Sequence, residues 1–234
     1  MSILFEVIAT TVADARLAAQ AGANRIELVT AMGEGGLTPS VGVIEAVVAA
    51  VDIPVNVIVR PHSRSFVYDA DDYAVMLRDL RAVKAAGANG AVIGMLNAEN
   101  EIDREGLARA IDAAGGLAIT FHRAFDETRD RRKALDVLLG FDAVTNVLTS
   151  GGQASVLSAE DSIRELVRQA DGSHCTVLAG AGLTVEAIEG FVTRTQVEAV
   201  HFGSGVRVGS NGLAPVDPAK VTQVRTLLDR ASGN

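Results

Sequence analysis

The 234-residue sequence has no tryptophan, two tyrosines and a single cysteine. One cysteine cannot close a disulfide within the chain, so packing rather than cross-linking must hold the fold, and nothing points to an oxidising compartment. Aromatic residues make up 4% of the chain, too few for a surface that stacks nucleic-acid bases. Excess positive charge is also missing. The formal net charge of −8 argues against nucleic acid and anionic membranes as partners, because both call for a basic face. A few arginines in a cleft can still reverse the field locally for a small anion. No apolar run reaches the roughly 20 residues of a membrane helix. The opening stretch MSILFEVIATT has no basic segment and carries Glu6 within it, so it reads as a first strand rather than a signal peptide. These absences together predict a cytoplasmic protein.

What remains is 48% hydrophobic and 21% charged, enough to bury a large core. β-Branched runs at 4–8, 25–29, 55–60, 91–95, 118–122, 145–149, 176–179 and 199–202 alternate with amphipathic stretches at 13–21, 41–50, 72–86, 105–114, 131–139, 159–170, 185–193 and 219–231. Eight strand-then-helix units over this length predict one (β/α)8 TIM-barrel domain spanning 1–234. A doubly wound open sheet is the alternative, disfavoured because no early strand leads into a dinucleotide-type glycine motif. Thr38-Pro39 reads as a helix cap followed by a first-turn proline. Ser158 with Asp161 reads as a capping box, and Gly22 as the glycine that ends a helix.

Strand side chains alternate between faces. Phe5 and Val7, Ile26 and Leu28, Val57 and Val59, Ile119 and Phe121, and Val200 and Phe202 form the apolar set expected beneath the helices. The other parity carries Glu6, Glu27, Arg60, His122 and His201 into the barrel interior. Burying such groups is costly unless they neutralise one another, stay wet or bind something. One reading is a plug of Glu6, Glu27, Arg25 and Arg60. The other is a site at the strand C-termini, where barrel enzymes bind substrate, with Glu6, Glu27, His122 and His201 as catalytic candidates.

Three glycine loops add backbone donors: TSGG (149–152), AGAG (179–182) and FGSG (202–205). Together with Arg60 and Arg123 they favour a small anionic ligand, which makes Asp126, Ser150, Gly151, Gly180, Gly182, Gly203 and Ser204 binding candidates. Phe66 and Tyr68, in the loop after the third strand, are expected either to close over that ligand or to cover the barrel mouth. No cofactor is required by the sequence. If a divalent metal binds, Glu6, Glu27, His122 and His201 suit Zn, Mn or Fe better than Cu(I), which prefers sulfur. Cys175 precedes the seventh strand, at the opposite end of the barrel, and reads as a small buried hydrophobe.

The strand ends FEV and IEL, EGGLTPS (34–40), Arg60-Pro61 with Phe66 and Tyr68 following, TFHRAFD (120–126), LTSG (148–151), AGAG and His201 cover nearly the whole chain. In these motifs the sequence resembles the CutC family, described as copper homeostasis proteins with a TIM-barrel fold. The resemblance implies a cytoplasmic homo-oligomer, dimer or tetramer, with a copper-related role. Family members often carry cysteine just after the first two strand carboxylates. Ile8 and Val29 stand there in this chain, which weakens a thiolate copper site. His62 and Ser65 depart from the family's usual basic and acidic residues. Three functions therefore stand at this point: acid–base enzyme of isomerase, epimerase or lyase type, divalent-metal enzyme, and copper binder.

Overall fold

Strand and helix alternate eight times in the computed structural model, which describes residues 2–233. The order is β1 (Leu4–Ala9), α1 (Val12–Gln20), β2 (Arg25–Leu28), α2 (Val41–Val48), β3 (Val55–Ile58), α3 (Ala70–Ala85), β4 (Gly90–Ile93), α4 (Arg104–Ala114), β5 (Ala118–Phe121), α5 (Arg131–Leu139), β6 (Val144–Thr149), α6 (Glu160–Ala170), β7 (Thr176–Gly180), α7 (Ile188–Thr195), β8 (Ala199–Phe202) and α8 (Pro218–Ala231). All neighbouring strands pair in parallel, and β1 bonds β2 on one side and β8 on the other, closing the barrel. The TIM barrel expected from the alternation is the fold.

The two strand faces divide the hydrophobic residues. Phe5, Val7, Ile26, Leu28, Val57, Val59, Ile119, Phe121, Val200 and Phe202 are all buried in the layer between barrel and helices. Inside the barrel lie two separate apolar groups. Val29, Ile58 and Val92 pack with Ile8 and Met32, while Leu148, Leu178 and Ala199 pack with Leu4. The outer layer supplies most of the apolar burial that stabilises the fold. The inner groups leave room for polar residues between them. The alternation slips once: Ile119 pairs with Val144 but Thr120 with Asn146, so a bulge interrupts β6. Val144 and Val147 consequently both join the outer layer although they are three residues apart.

Aspartates start most of the well-capped helices. Asp69, Asp103, Asp130 and Asp217 accept first-turn N–H groups of α3, α4, α5 and α8, satisfying donors that helical bonding leaves open. Two expected caps are corrected. The N-cap of α2 is Ser40, and Thr38 instead accepts the Arg60 N–H through Oγ1 at 2.9 Å, bracing the end of β3. Ser158 sits in a short 3-10 turn, and Ala159 is the N-cap of α6, with no side-chain bond. Gly22 does follow the end of α1, with φ of +111°. The seventh helix begins at Ile188 rather than 185, after a turn in which Thr184 Oγ1 accepts the Ala187 N–H. Among the described residues, no helix is long and apolar enough to cross a membrane.

Candidate functional site

A cavity of about 420 Å3 opens at the C-terminal ends of the strands. Glu27 and His201 lie at its base. Ile8, Val29, Ile58 and Leu148 form apolar walls, and Arg60, Phe66, His122, Arg123 and Asp126 also line it. The five inward ionisable residues picked out by parity are all buried, but they do not share one level. β1 and β2 pair so that Glu6 stands opposite Arg25 and Glu27 opposite Ile8. Glu6 therefore sits one step deeper than Glu27 and does not line the cavity, which corrects the expectation that it reaches the ligand.

Beneath the cavity runs a charged relay. Arg25 Nε donates to Glu6 Oε2 at 2.6 Å, and Arg25 Nη1 donates to Asn146 Oδ1 at 2.9 Å. The other Glu6 oxygen lies 2.7 Å from His201 Nδ1. His201 Nε2 is in turn 3.7 Å from Glu27 Oε2, beyond hydrogen-bond length. Burial alone would raise the Glu6 carboxyl, but Arg25 and His201 bring it down to about 2. Glu27 has no such partner. Burial, reinforced by the Glu6 charge, pushes its carboxyl up to about 7 against the opposing pull of His201. Burial would lower the His201 imidazole, yet Glu27 and Glu6 together hold it above its ordinary value. Two neighbouring carboxyls are thus driven apart, one held ionised and the other poised to exchange a proton near neutrality. The plug reading fits Glu6 and Arg25; it does not extend to Glu27 or Arg60.

Arg60 is 7% exposed, and its guanidinium is held by backbone carbonyls. Nη1 donates to those of Glu34 at 3.1 Å and Gly36 at 3.2 Å, and Nη2 to that of Ser63 at 3.5 Å. Its centre lies 4.7 Å over the Phe66 ring. Among the described residues, Nε has no partner and no carboxylate pairs with this cation. The EGG segment that holds it reads in sequence as a family motif and not as part of the site. Its two adjacent glycines, with φ of +84° at Gly35 and +91° at Gly36, are the available signal, since a tight left-handed turn brings carbonyls toward one point.

His122 caps the 3-10 turn Arg123–Glu127, its Nδ1 accepting the Ala124 N–H at 3.1 Å. A neutral imidazole with an accepting Nδ1 carries its proton on Nε2. That Nε2 is buried and has no partner among the described residues. Burial and the nearby Arg60 push the His122 imidazolium down to about 3. A side chain at Gly94 would drive its Cβ into His122 Nδ1, so only glycine lets the ring lie against β4. Nitrogen-15 NMR at pH 5 should show His122 neutral and protonated on Nε2; an imidazolium spectrum at that pH would contradict this geometry.

Asp126 organises the loop after β6. One oxygen accepts from Thr149 Oγ1, Ser150 N and Gly152 N, and the other from Arg123 Nε, Ser150 Oγ and Ser150 N. The loop expected to offer its donors to a ligand therefore gives them to Asp126. Ser150 and Gly151 do not line the cavity, nor does Gly180. Gly182, Gly203 and Ser204 do, joined by Leu183 and Gly205. A Cβ at Gly205 would collide with the Leu183 carbonyl, so the loops after β7 and β8 meet only because that residue is glycine. Ala181 adopts φ of +73° in the same wall, a strained conformation typical of functional loops. Arg207 and Asp14, paired at 3.2 Å in the interior, anchor the loop that follows β8. Phe66 lines the cavity, whereas Tyr68 does not; its ring packs 5.4 Å from His62 and 6.1 Å from Tyr73, with its hydroxyl close to Arg60.

Metal-binding chemistry fits this site poorly. Donor atoms of Glu6, Glu27 and His201 approach within 4.8 Å of one another, but Glu6 is already neutralised by Arg25 and bonded to His201. His122 is not part of that cluster. Cu(I) would need converging sulfur. Among the described residues, the sulfur lining the cavity is that of Met32 alone, and Cys175 is buried at the other end of β7, its thiol pushed up to about 12 by burial.

The CutC family profile matches residues 3–206. A CutC family protein of Klebsiella pneumoniae (strain 342) is 42% identical over 205 residues, 88% of this chain and 81% of that protein. One from Photobacterium profundum is 38% identical over 202 residues, 86% of this chain and 82% of its relative. The crystal structure of a Streptococcus agalactiae CutC, named for copper homeostasis, superposes with a TM-score of 0.80 at 29% identity, covering 85% of this chain and 97% of that one. With family profile, relatives and barrel in agreement, the chain belongs to the CutC family.

Proposed function

We propose that this protein is an enzyme performing acid–base chemistry on a small anionic substrate bound in the barrel mouth. The observation that carries the reading is Arg60. A buried guanidinium facing a cavity, with carbonyl dipoles around it, lacks a counter-ion, and a buried unpaired charge is costly until an anion arrives. Glu27 and His201 at the base supply groups able to take and return a proton near neutral pH. The apolar walls exclude water and strengthen every polar contact made inside.

Copper handling, the role after which the Streptococcus agalactiae relative is named, receives no support from the donors present. Titration calorimetry with inorganic phosphate and sulfate tests the proposal. The wild-type protein should bind one of them, and Arg60→Met should weaken that binding at least about 30-fold, about 2 kcal/mol. The unfolding midpoint of the variant should be unchanged or higher, because an uncompensated charge has been removed. Absence of binding, or equal binding by Arg60→Met, would overturn the proposal.

A further inference from the structure

Resting on the reading of the cavity as an anion-binding acid–base site, we infer that its substrate is a carbonyl compound and that the reaction passes through an enolate: Glu27 removes a proton from the carbon beside the carbonyl, and His122 donates its Nε2–H to the carbonyl oxygen. Three features of the cavity lead there. Glu27 accepts no hydrogen bond from the described residues; its nearest cation is His201 Nε2 at 3.7 Å. The carboxylate is thus open to the cavity and free to accept a proton from carbon. Just past the end of β5, three strands round the barrel from β2, His122 offers one unpartnered donor, fixed in its tautomer by the Ala124 N–H. The apolar side chains Val29, Ile58 and Leu148 line the same cavity.

A base and a neutral hydrogen-bond donor lining one cavity with apolar walls are the minimum needed to ionise a C–H bond. The C–H bond breaks, and its proton goes to a Glu27 oxygen. The electron pair forms the carbon–carbon double bond while the carbonyl π pair moves to oxygen, where His122 Nε2–H meets it. Where the ionised carbon carries a hydroxyl, that hydroxyl passes its proton to the other oxygen while Glu27 returns its proton to the former carbonyl carbon, which completes an isomerisation of an α-hydroxy carbonyl compound. A neutral imidazole suits this role, because a donor of weak acidity matches the basicity of an enolate oxygen and does not protonate the carbonyl at rest.

Other reactions lack parts. Asp126 is saturated by donors from its neighbouring loop and so does not serve as the second carboxyl of a glycosidic cleavage. Acyl transfer through serine needs a hydroxyl bonded to its base, and among the described residues no serine of the cavity is bonded to His122 or His201.

Calorimetry with planar enolate mimics provides the test. Phosphoglycolohydroxamate carries a phosphate handle and oxalate a carboxylate one; each is compared with its simple anion, phosphate or acetate. At least one mimic should bind about 100-fold or more tighter than its simple anion, as analogues of high-energy intermediates do. His122→Ala should erase that advantage while leaving phosphate or acetate binding unchanged. The wild-type ratio decides even if the variant fails to fold. If the simple anion binds and neither mimic improves on it, or the advantage survives in His122→Ala, the enolate inference is overturned while the anion-binding proposal stands. If none of the four ligands binds, both fall.

Discussion

Glu6→Gln is expected to destabilise the protein by about 3 kcal/mol at pH 7, the largest loss foreseen for any single substitution in the barrel interior. The change keeps volume and removes one charge, leaving Arg25 and His201 buried without their shared counter-ion. Breaking a buried pair from one side costs roughly 3–5 kcal/mol. Linkage gives a similar figure. The Glu6 carboxyl is lowered from 4.5 to about 2, which at about 1.36 kcal/mol for each pH unit is about 3 kcal/mol. The sign follows from the direction: a depressed carboxyl contributes stability above pH 4.5 and loses it as pH falls toward 2. Urea unfolding should therefore show the variant far weaker at pH 7, with the gap closing over that acid range. A neutral effect at pH 7 would mean that Glu6 does not neutralise this network.

Glu27→Gln, on the same strand as Arg25, should do the opposite. The Glu27 carboxyl is raised from 4.5 to about 7, so its contribution is complete below pH 4.5 and is lost as pH rises through 7. At pH 8 the wild-type protein holds an ionised carboxylate in a buried place, which glutamine does not. The variant should be more stable there by on the order of 3 kcal/mol, with the advantage gone near pH 4, where both side chains are neutral. His201 keeps Glu6 as a partner in the variant. Stability gained by removing a polar group is the signature of a residue kept for chemistry rather than for folding. A loss of stability at pH 8 would place Glu27 with Glu6 in the scaffold.

The difference between these two carboxylates shows what a linear sequence carries. Strand alternation places Glu6, Glu27, Arg60, His122 and His201 inward, because parity depends only on the two-residue period of a strand. It cannot give depth, since that is set by how neighbouring strands stagger around the barrel. Only the pairing of Glu6 with Arg25 puts one carboxylate under the other. The fold itself is legible for a similar reason: eight alternations of two periods leave few topologies. Loop geometry is not. The TSGG donors turn inward to Asp126, more than twenty positions away in the chain, and Tyr68 packs against Tyr73 rather than over the mouth. Neither pairing has a local pattern. Thr38 looks like a helix cap in sequence because threonine followed by proline often is one, but here its hydroxyl meets the Arg60 backbone.

The proposed function turns on an anion settling beside the Arg60 guanidinium, with which no carboxylate pairs among the described residues. Diffraction from crystals soaked in selenate, recorded at the selenium edge, addresses this without knowledge of the substrate. The expected result is an anomalous peak in the barrel mouth within hydrogen-bond reach of Arg60, absent from crystals of Arg60→Met. Selenate bound only at the outer surface, with ordered water alone beside Arg60, would contradict it.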